Sequence, residues 1–309
     1  YVLRFRLKFA CTYKKCVCLI SLVFLLGLLG MVDNASALTM KKGPYLIYPN
    51  SNAQMTVLWQ LDGTSACTID WGLDTSYSMG TASTTVYGDY QHKHTITGLA
   101  PGTKHFYRVT AGAIVKTGSF VTAPATNATS VKFMVYGDTR NNPSSQDAVN
   151  SRMIAEYTAD SAYQSITLFS GDFVDMGRTE TSWTADWFNT AQANMMTFRA
   201  NVPISGSKGN HEIAVGATDD GDLYGKYYPY TVVSPYYWSF DYGPAHILVI
   251  DQYADGLSGS ISAAQLAWLA ADLAASAKEW KFIVLHVPGW TGSARTSSPR
   301  STSPAVRPG

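Results

Sequence analysis

The chain has 309 residues, 46% hydrophobic and 15% charged, with 23 Lys and Arg against 22 Asp and Glu. Aromatic residues reach 13%, which excludes disorder for most of the chain, and the length exceeds one typical domain of roughly 100–200 residues. Residues 1–37 hold five basic residues and one acidic; without them 18 basic stand against 21 acidic, too few for electrostatic binding to a nucleic-acid backbone.

Residues 1–15 carry five positive charges and no negative one, Cys16 to Val32 is an apolar run, and Ala35-Ser36-Ala37 follows. A basic segment, an apolar segment and a small-x-small site, in that order, predict a secretory signal peptide over 1–37. The run of 17 residues sits at the short end of the roughly 17–25 that span a bilayer, so no stable membrane anchor is expected after cleavage. The expected location is secreted, periplasmic or at the cell surface. Cys11, Cys16 and Cys18 fall inside this leader, leaving Cys67 with no intrachain disulfide partner. Its setting, Ala66-Cys67-Thr68-Ile69, predicts a buried small hydrophobe on a strand.

From Tyr45 to Thr122 short strand-like runs alternate with turn residues. Met55–Trp59, Cys67–Trp71 and His94–Thr97 are separated by Asp62-Gly63, Gly88-Asp89 and Pro101-Gly102. This spacing predicts an all-β sandwich over 41–123. Leu99-Ala100-Pro101-Gly102-Thr103 with Tyr107-Arg108-Val109 resembles the corner of fibronectin type III domains, and the resemblance implies that the Tyr107 hydroxyl ties back to that corner. His92-Lys93-His94 places two imidazoles on one strand face, a possible chelate without a third ligand nearby in sequence. Ala123 to Ser130 is a short polar linker containing the sequon Asn127-Ala128-Thr129.

From Val131 the pattern changes to strand and helix in alternation. Val131–Tyr136 is a predicted strand ending in Gly137-Asp138. A helix follows with Val149, Met153 and Tyr157 on one face. Ile166–Phe169 ends in Gly171-Asp172, and Trp183 to Phe198 is predicted helical. Pro203-Ile204 leads to Gly209-Asn210-His211-Glu212, and strands return at Tyr237–Tyr242 and His246–Ile250. The helix Ala263 to Ser276 then precedes Lys281–Leu285 and His286. The alternation predicts an α/β domain over 131–290.

Asp138, Asp172, Asn210, His211 and His286 lie at or near strand ends, the edge at which α/β sheets build their sites. Carboxylate and amide oxygens with imidazole nitrogen suit Zn, Mn or Fe. A carboxylate such as Asp172 can bridge two ions about 3.5–4 Å apart.

Gly137-Asp138, Gly171-Asp172-Phe173-Val174-Asp175, Gly209-Asn210-His211-Glu212 and Val284-Leu285-His286 together resemble the calcineurin-like metallophosphoesterases. With the sandwich in front, the arrangement is similar to purple acid phosphatases and their bacterial relatives over roughly residues 42–290. The resemblance implies a four-layer α/β/β/α fold, a phosphate-ester substrate and two divalent or trivalent metal ions. It gives Asp138 to one ion, Asp172 to both, and Asn210 and His286 to the second. His211 then stabilises or protonates the leaving oxygen.

The departures are as informative. Asp175 stands where purple acid phosphatases have a metal-binding tyrosine; it is either a replacement ligand or part of a turn. Arg140 stands where other members have a histidine, and is either a ligand for substrate phosphate or a surface arginine. Beyond His286 there is no histidine to supply the family's closing Gly-His-x-His segment. Residues 291–309 are Ser/Thr/Pro/Arg-rich and predicted disordered, so the α/β domain reads as C-terminally truncated. The leading expectation is an exported metal-dependent phosphoesterase, with this chain an incomplete copy. The alternative is a non-catalytic exported binding protein on a degenerate scaffold.

Overall fold

The computed structural model describes residues 37–84, 86–160, 166–232, 236–254 and 259–289. The expected signal peptide, apart from Ala37, and the expected disordered tail lie outside them. The first half contains β1 (Met40–Ile47), β2 (Met55–Leu61), β3 (Cys67–Gly72), β4 (Gly80–Thr84), β5 (Gln91–Ile96), β6 (Lys104–Ala111) and β7 (Ile114–Val121). They form two sheets, in the orders β1-β2-β5 and β4-β3-β6-β7, with antiparallel pairing throughout. The predicted sandwich is present.

The two-residue period of its strands serves two cores. Leu46, Val57 and Trp59 face the other sheet and pack with Ile69, Val109 and Phe120. Their neighbours Tyr45, Ile47 and Leu58 point the opposite way, into the aromatic core of the α/β half. With both faces covered, β2 is buried at every position, and its apolar run replaces simple alternation. Cys67 is buried and unpaired, as its setting predicts.

The second half contains β8 (Phe133–Tyr136), α1 (Pro143–Ala159), β9 (Ile166–Phe169), α2 (Ala193–Asn201), β10 (Ile204–Gly206), α3 (Leu223–Tyr227), β11 (Trp238–Tyr242), β12 (Ala245–Val249), α4 (Ala263–Ala275) and β13 (Trp280–Val284). One sheet is parallel, β10-β9-β8; the other is β11-β12-β13, with β12 and β13 parallel. Ile166, Leu168 and Phe169 of the first sheet share a core with Trp238, Ile247 and Val249 of the second. Outside the first sheet, Phe198 and Val202 cover Met134, with Met153 and Tyr157 of α1 packed against them. On the second sheet, Ser239 donates to Asp272 of α4 at 2.9 Å. The order of layers is helix, sheet, sheet, helix.

Several local expectations change. Helix α1 turns Met153 and Tyr157 of the predicted face inward, but Val149 is 46% exposed and polar Gln146 and Asn150 are buried instead. The continuous helix over Trp183 to Phe198 is instead a π-helical turn, Trp183–Trp187, a break, and then α2. The wider turn seats two fully buried indoles around Phe173, with ring centroids 6.0 and 4.7 Å away. The Tyr107 hydroxyl does not tie back to its own corner; it donates to the Ala200 carbonyl of α2 at 2.8 Å. The corner is held by Thr122, whose Oγ1 donates to the Ala100 carbonyl at 2.6 Å and accepts from Thr103 N at 2.9 Å.

Candidate metal centre

In the parallel sheet Tyr136 pairs with Phe169, and Phe169 with Gly206, so three strands finish level and deliver their loops to one edge. The first two loops are joined by backbone bonds. Asp138 N donates to Gly171 O at 3.0 Å, and Thr139 N to Asp172 O at 3.1 Å. Both aspartates adopt the left-handed conformation, with φ of 56° and 58°. That conformation costs a residue with a Cβ on the order of 1 kcal/mol, and Asp tolerates it better than most. It turns both carboxylates towards the same space.

Glu212 fixes this geometry from below. Its carboxylate accepts from Asp172 N and Phe173 N, both at 2.8 Å, and from Gly209 N at 2.6 Å. Burial pushes its pKa up to about 7, against the pull of those three amides. Gly209 is required by space: a Cβ there would lie 2.1 Å from Asp172 Oδ1.

His286 arrives from the other sheet, just beyond β13. Its Nδ1 lies 2.8 Å from the Ser170 carbonyl, which only accepts, so Nδ1 carries the proton. In the neutral ring Nε2 then presents a lone pair, 3.1 Å from Asn210 Oδ1 and 3.6 Å from Asp172 Oδ1. A cation placed among these three atoms would find a lone pair on each of them. Asp138, Asp172 and His286 also offer ligand atoms within 4.8 Å of one another. The donor set of carboxylate, amide oxygen and imidazole fits a cation of the Zn, Mn or Fe type.

Arg140 borders the same group. Its Nε lies 3.0 Å from Asp172 Oδ2, yet that buried oxygen accepts no aligned hydrogen bond. Arg140 Nε is also 3.9 Å from Asp138 Oδ1, and its Nη1 3.9 Å from Asp175 Oδ1. A cavity of about 460 Å³ is lined by Asp138, Arg140, Asp172, Asn210, His286, Val287 and Pro288. Of the two sequence alternatives for Arg140, this placement favours a role at the site.

Asp175 is placed differently from the ligand alternative. Its Oδ1 accepts from Asn141 Nδ2 at 2.9 Å and lies 3.4 Å from His211 Nδ1. It stands outside the group formed by Asp138, Asp172 and His286. The turn after the strand aims it at the imidazole instead: His211 Nδ1 bonds the Asp175 carbonyl, and His211 N donates to Asp172 Oδ1 at 3.0 Å. His211 is therefore tied to both aspartates of the Gly171–Asp175 segment.

Glu212 closes the Gly209–Glu212 motif, and the motif alone gives it no task. Its need for amide donors comes from its burial, which the fold sets and the motif does not show. The sandwich His-x-His does not join the site. His92 stacks on Trp59 and His94 lies against Trp71. The Tyr-rich stretch after Asp222 is framework: Tyr224, Tyr227 and Tyr228 are fully buried.

A family model described as calcineurin-like phosphoesterase matches residues 131–308. No curated protein matches the chain. Among solved structures, the purple acid phosphatase PPD1 from yellow lupin (Lupinus luteus) seeds is similar, with a TM-score of 0.58 and 16% identity over 78% of this chain. The structure of PhoD is similar with a TM-score of 0.63 and 14% identity over 82% of this chain. The chain spans 50% of the lupin protein and 63% of PhoD. At such identities the likeness is one of fold.

Proposed function

Because the chain belongs to the calcineurin-like phosphoesterase family, we propose that it descends from an exported, metal-dependent hydrolase of phosphate esters and keeps that site in its described edge. The observation that carries the reading is the convergence of Asp138, Asp172, Asn210 and His286 from two sheets onto one cavity. Asp172, Asn210 and His286 would hold one cation, with Asp172 shared with a second held by Asp138. When bound, such ions supply Lewis acidity to phosphoryl oxygen and a nucleophilic water at neutral pH.

The chain's own residues do the remaining work. Arg140 offers its guanidinium to the non-bridging oxygens of the phosphate, a geometry that planar donors match well. His211, fixed through Nδ1 by Asp175, holds the proton that passes to the leaving oxygen. Glu212 keeps Asp172 and Gly209 in place and touches no substrate.

Segments 41–123 and 131–290 are taken as the sandwich and catalytic domains. Export rests on the basic, apolar and small-residue pattern of 1–37; no helix among the described residues is long and apolar enough to cross a membrane. The test is turnover of p-nitrophenyl phosphate and its bis-ester after loading with Mn, Zn or Fe. Metal uptake with turnover supports the reading. A folded protein that takes up metal yet turns over neither ester supports the binding-protein alternative.

A further inference from the structure

Helix α4 is built almost wholly of Ala and Leu, yet the residue it buries completely is Gln265. Burying a primary amide in an apolar helix is unfavourable unless its donor and acceptor are both matched. Gln265 matches both on one residue of the loop after β12: its Oε1 accepts from Asp251 N at 2.9 Å, and its Nε2 donates to Asp251 O at 2.8 Å. The next residue repeats the pattern. Gln252, 5% exposed, accepts on Oε1 from His286 N at 3.0 Å and Val287 N at 2.7 Å, and donates from Nε2 to Val287 O at 3.0 Å.

The His286 turn has little else to hold its backbone. The strand before it is anchored by Val284, 7% exposed, and by Phe282, which packs against the core, but Val287 in the turn itself is 36% exposed. Apolar packing therefore stops at Val284, and beyond it the Ser170 carbonyl holds only the ring. We infer that Gln252 is the positioning residue for His286, supported by the grip of Gln265 on Asp251. The inference rests on His286 being a metal ligand, as proposed above. Its chemistry is specific: a carboxylate in place of Gln252 keeps the acceptor and loses the donor, and a thioether loses both.

Mn(II) titrated into the metal-free full chain, followed by electron paramagnetic resonance, tests this alongside thermal melting. Gln252→Met is expected to weaken Mn(II) binding about 10- to 100-fold, the usual cost of removing a group that orients a ligand. Gln252→Glu should fall between it and the parent, and Gln265→Met should weaken binding by less. A folded Gln252→Met that binds within about twofold of the parent, even with a lowered melting temperature, overturns the assignment. If that variant does not fold, amide hydrogen exchange at His286 and Val287 in Gln265→Met decides: faster exchange with weaker Mn(II) binding supports it, and unchanged exchange overturns it. No Mn(II) uptake by the parent chain would overturn the metal reading itself, and this assignment with it.

Discussion

His92 and His286 show what separates a framework histidine from a ligand. His92 lies in the sandwich, stacked on Trp59 at 5.4 Å, with Nδ1 3.0 Å from Thr84 Oγ1 and Nε2 3.6 Å from Cys67 Sγ. Burial lowers its pKa, so the neutral ring has both nitrogens answered by neighbours. His286 gives Nδ1 to a carbonyl and leaves Nε2 facing the oxygens of Asn210 and Asp172. Residue type is the same in the two halves; the kind of atom opposite the second nitrogen differs. The junction between the halves repeats the sandwich's solution. Lys42, fully buried, bonds Glu180 and Gln60, and Lys226 joins Glu180 to Asp89, so each charge there is matched by a neighbour.

The comparison breaks most visibly at Asp172. Asp172→Ala should abolish metal uptake and lower ester turnover by at least about 1000-fold, or roughly 4 kcal/mol of barrier. Retained turnover would remove the shared-ligand role.

At the junction, Glu180→Gln strands the Lys42 ammonium in the core and should cost about 3–5 kcal/mol of stability in denaturant unfolding. Burial alone would raise the Glu180 pKa, but Lys42, Tyr227 and Lys226 outweigh it and bring it from 4.5 to about 2. A depressed carboxylate pKa gives stability that is present above pH 4.5 and lost as pH falls towards about 2. The parent's advantage over Glu180→Gln should therefore shrink across that window. A difference independent of pH would show that the pair is not what holds the halves.

Tyr107→Phe removes one hydrogen bond across the same junction and should cost about 1 kcal/mol, read by thermal melting, without changing turnover. The smallest effect is expected from His94→Ala: metal content by elemental analysis should stay that of the parent, whereas a lost equivalent would make the sandwich pair a site.

The sequence made strand-end residues legible because parallel strands bring their ends to one edge. Asp138, Asp172, Asn210 and His286 could be named from four separate stretches, and the structure brings them together. What escaped was set by partners distant in sequence. Asp175 reads as a ligand or a turn until His211 is seen 3.4 Å away. The Tyr107 hydroxyl reads as a corner tie until α2 places the Ala200 carbonyl above it. On α1, Met153 and Tyr157 face inward as their spacing predicts, whereas Val149 is exposed and polar Gln146 and Asn150 take the buried positions. Hydrophobic period finds elements; it does not find buried amides, Gln252 and Gln265 among them.

X-ray absorption at the metal edge of the loaded protein tests the central claim most directly, with His286→Ala as the comparison. The account predicts an imidazole nitrogen among oxygen ligands in the parent, lost in His286→Ala. A coordination sphere unchanged by that substitution would contradict it.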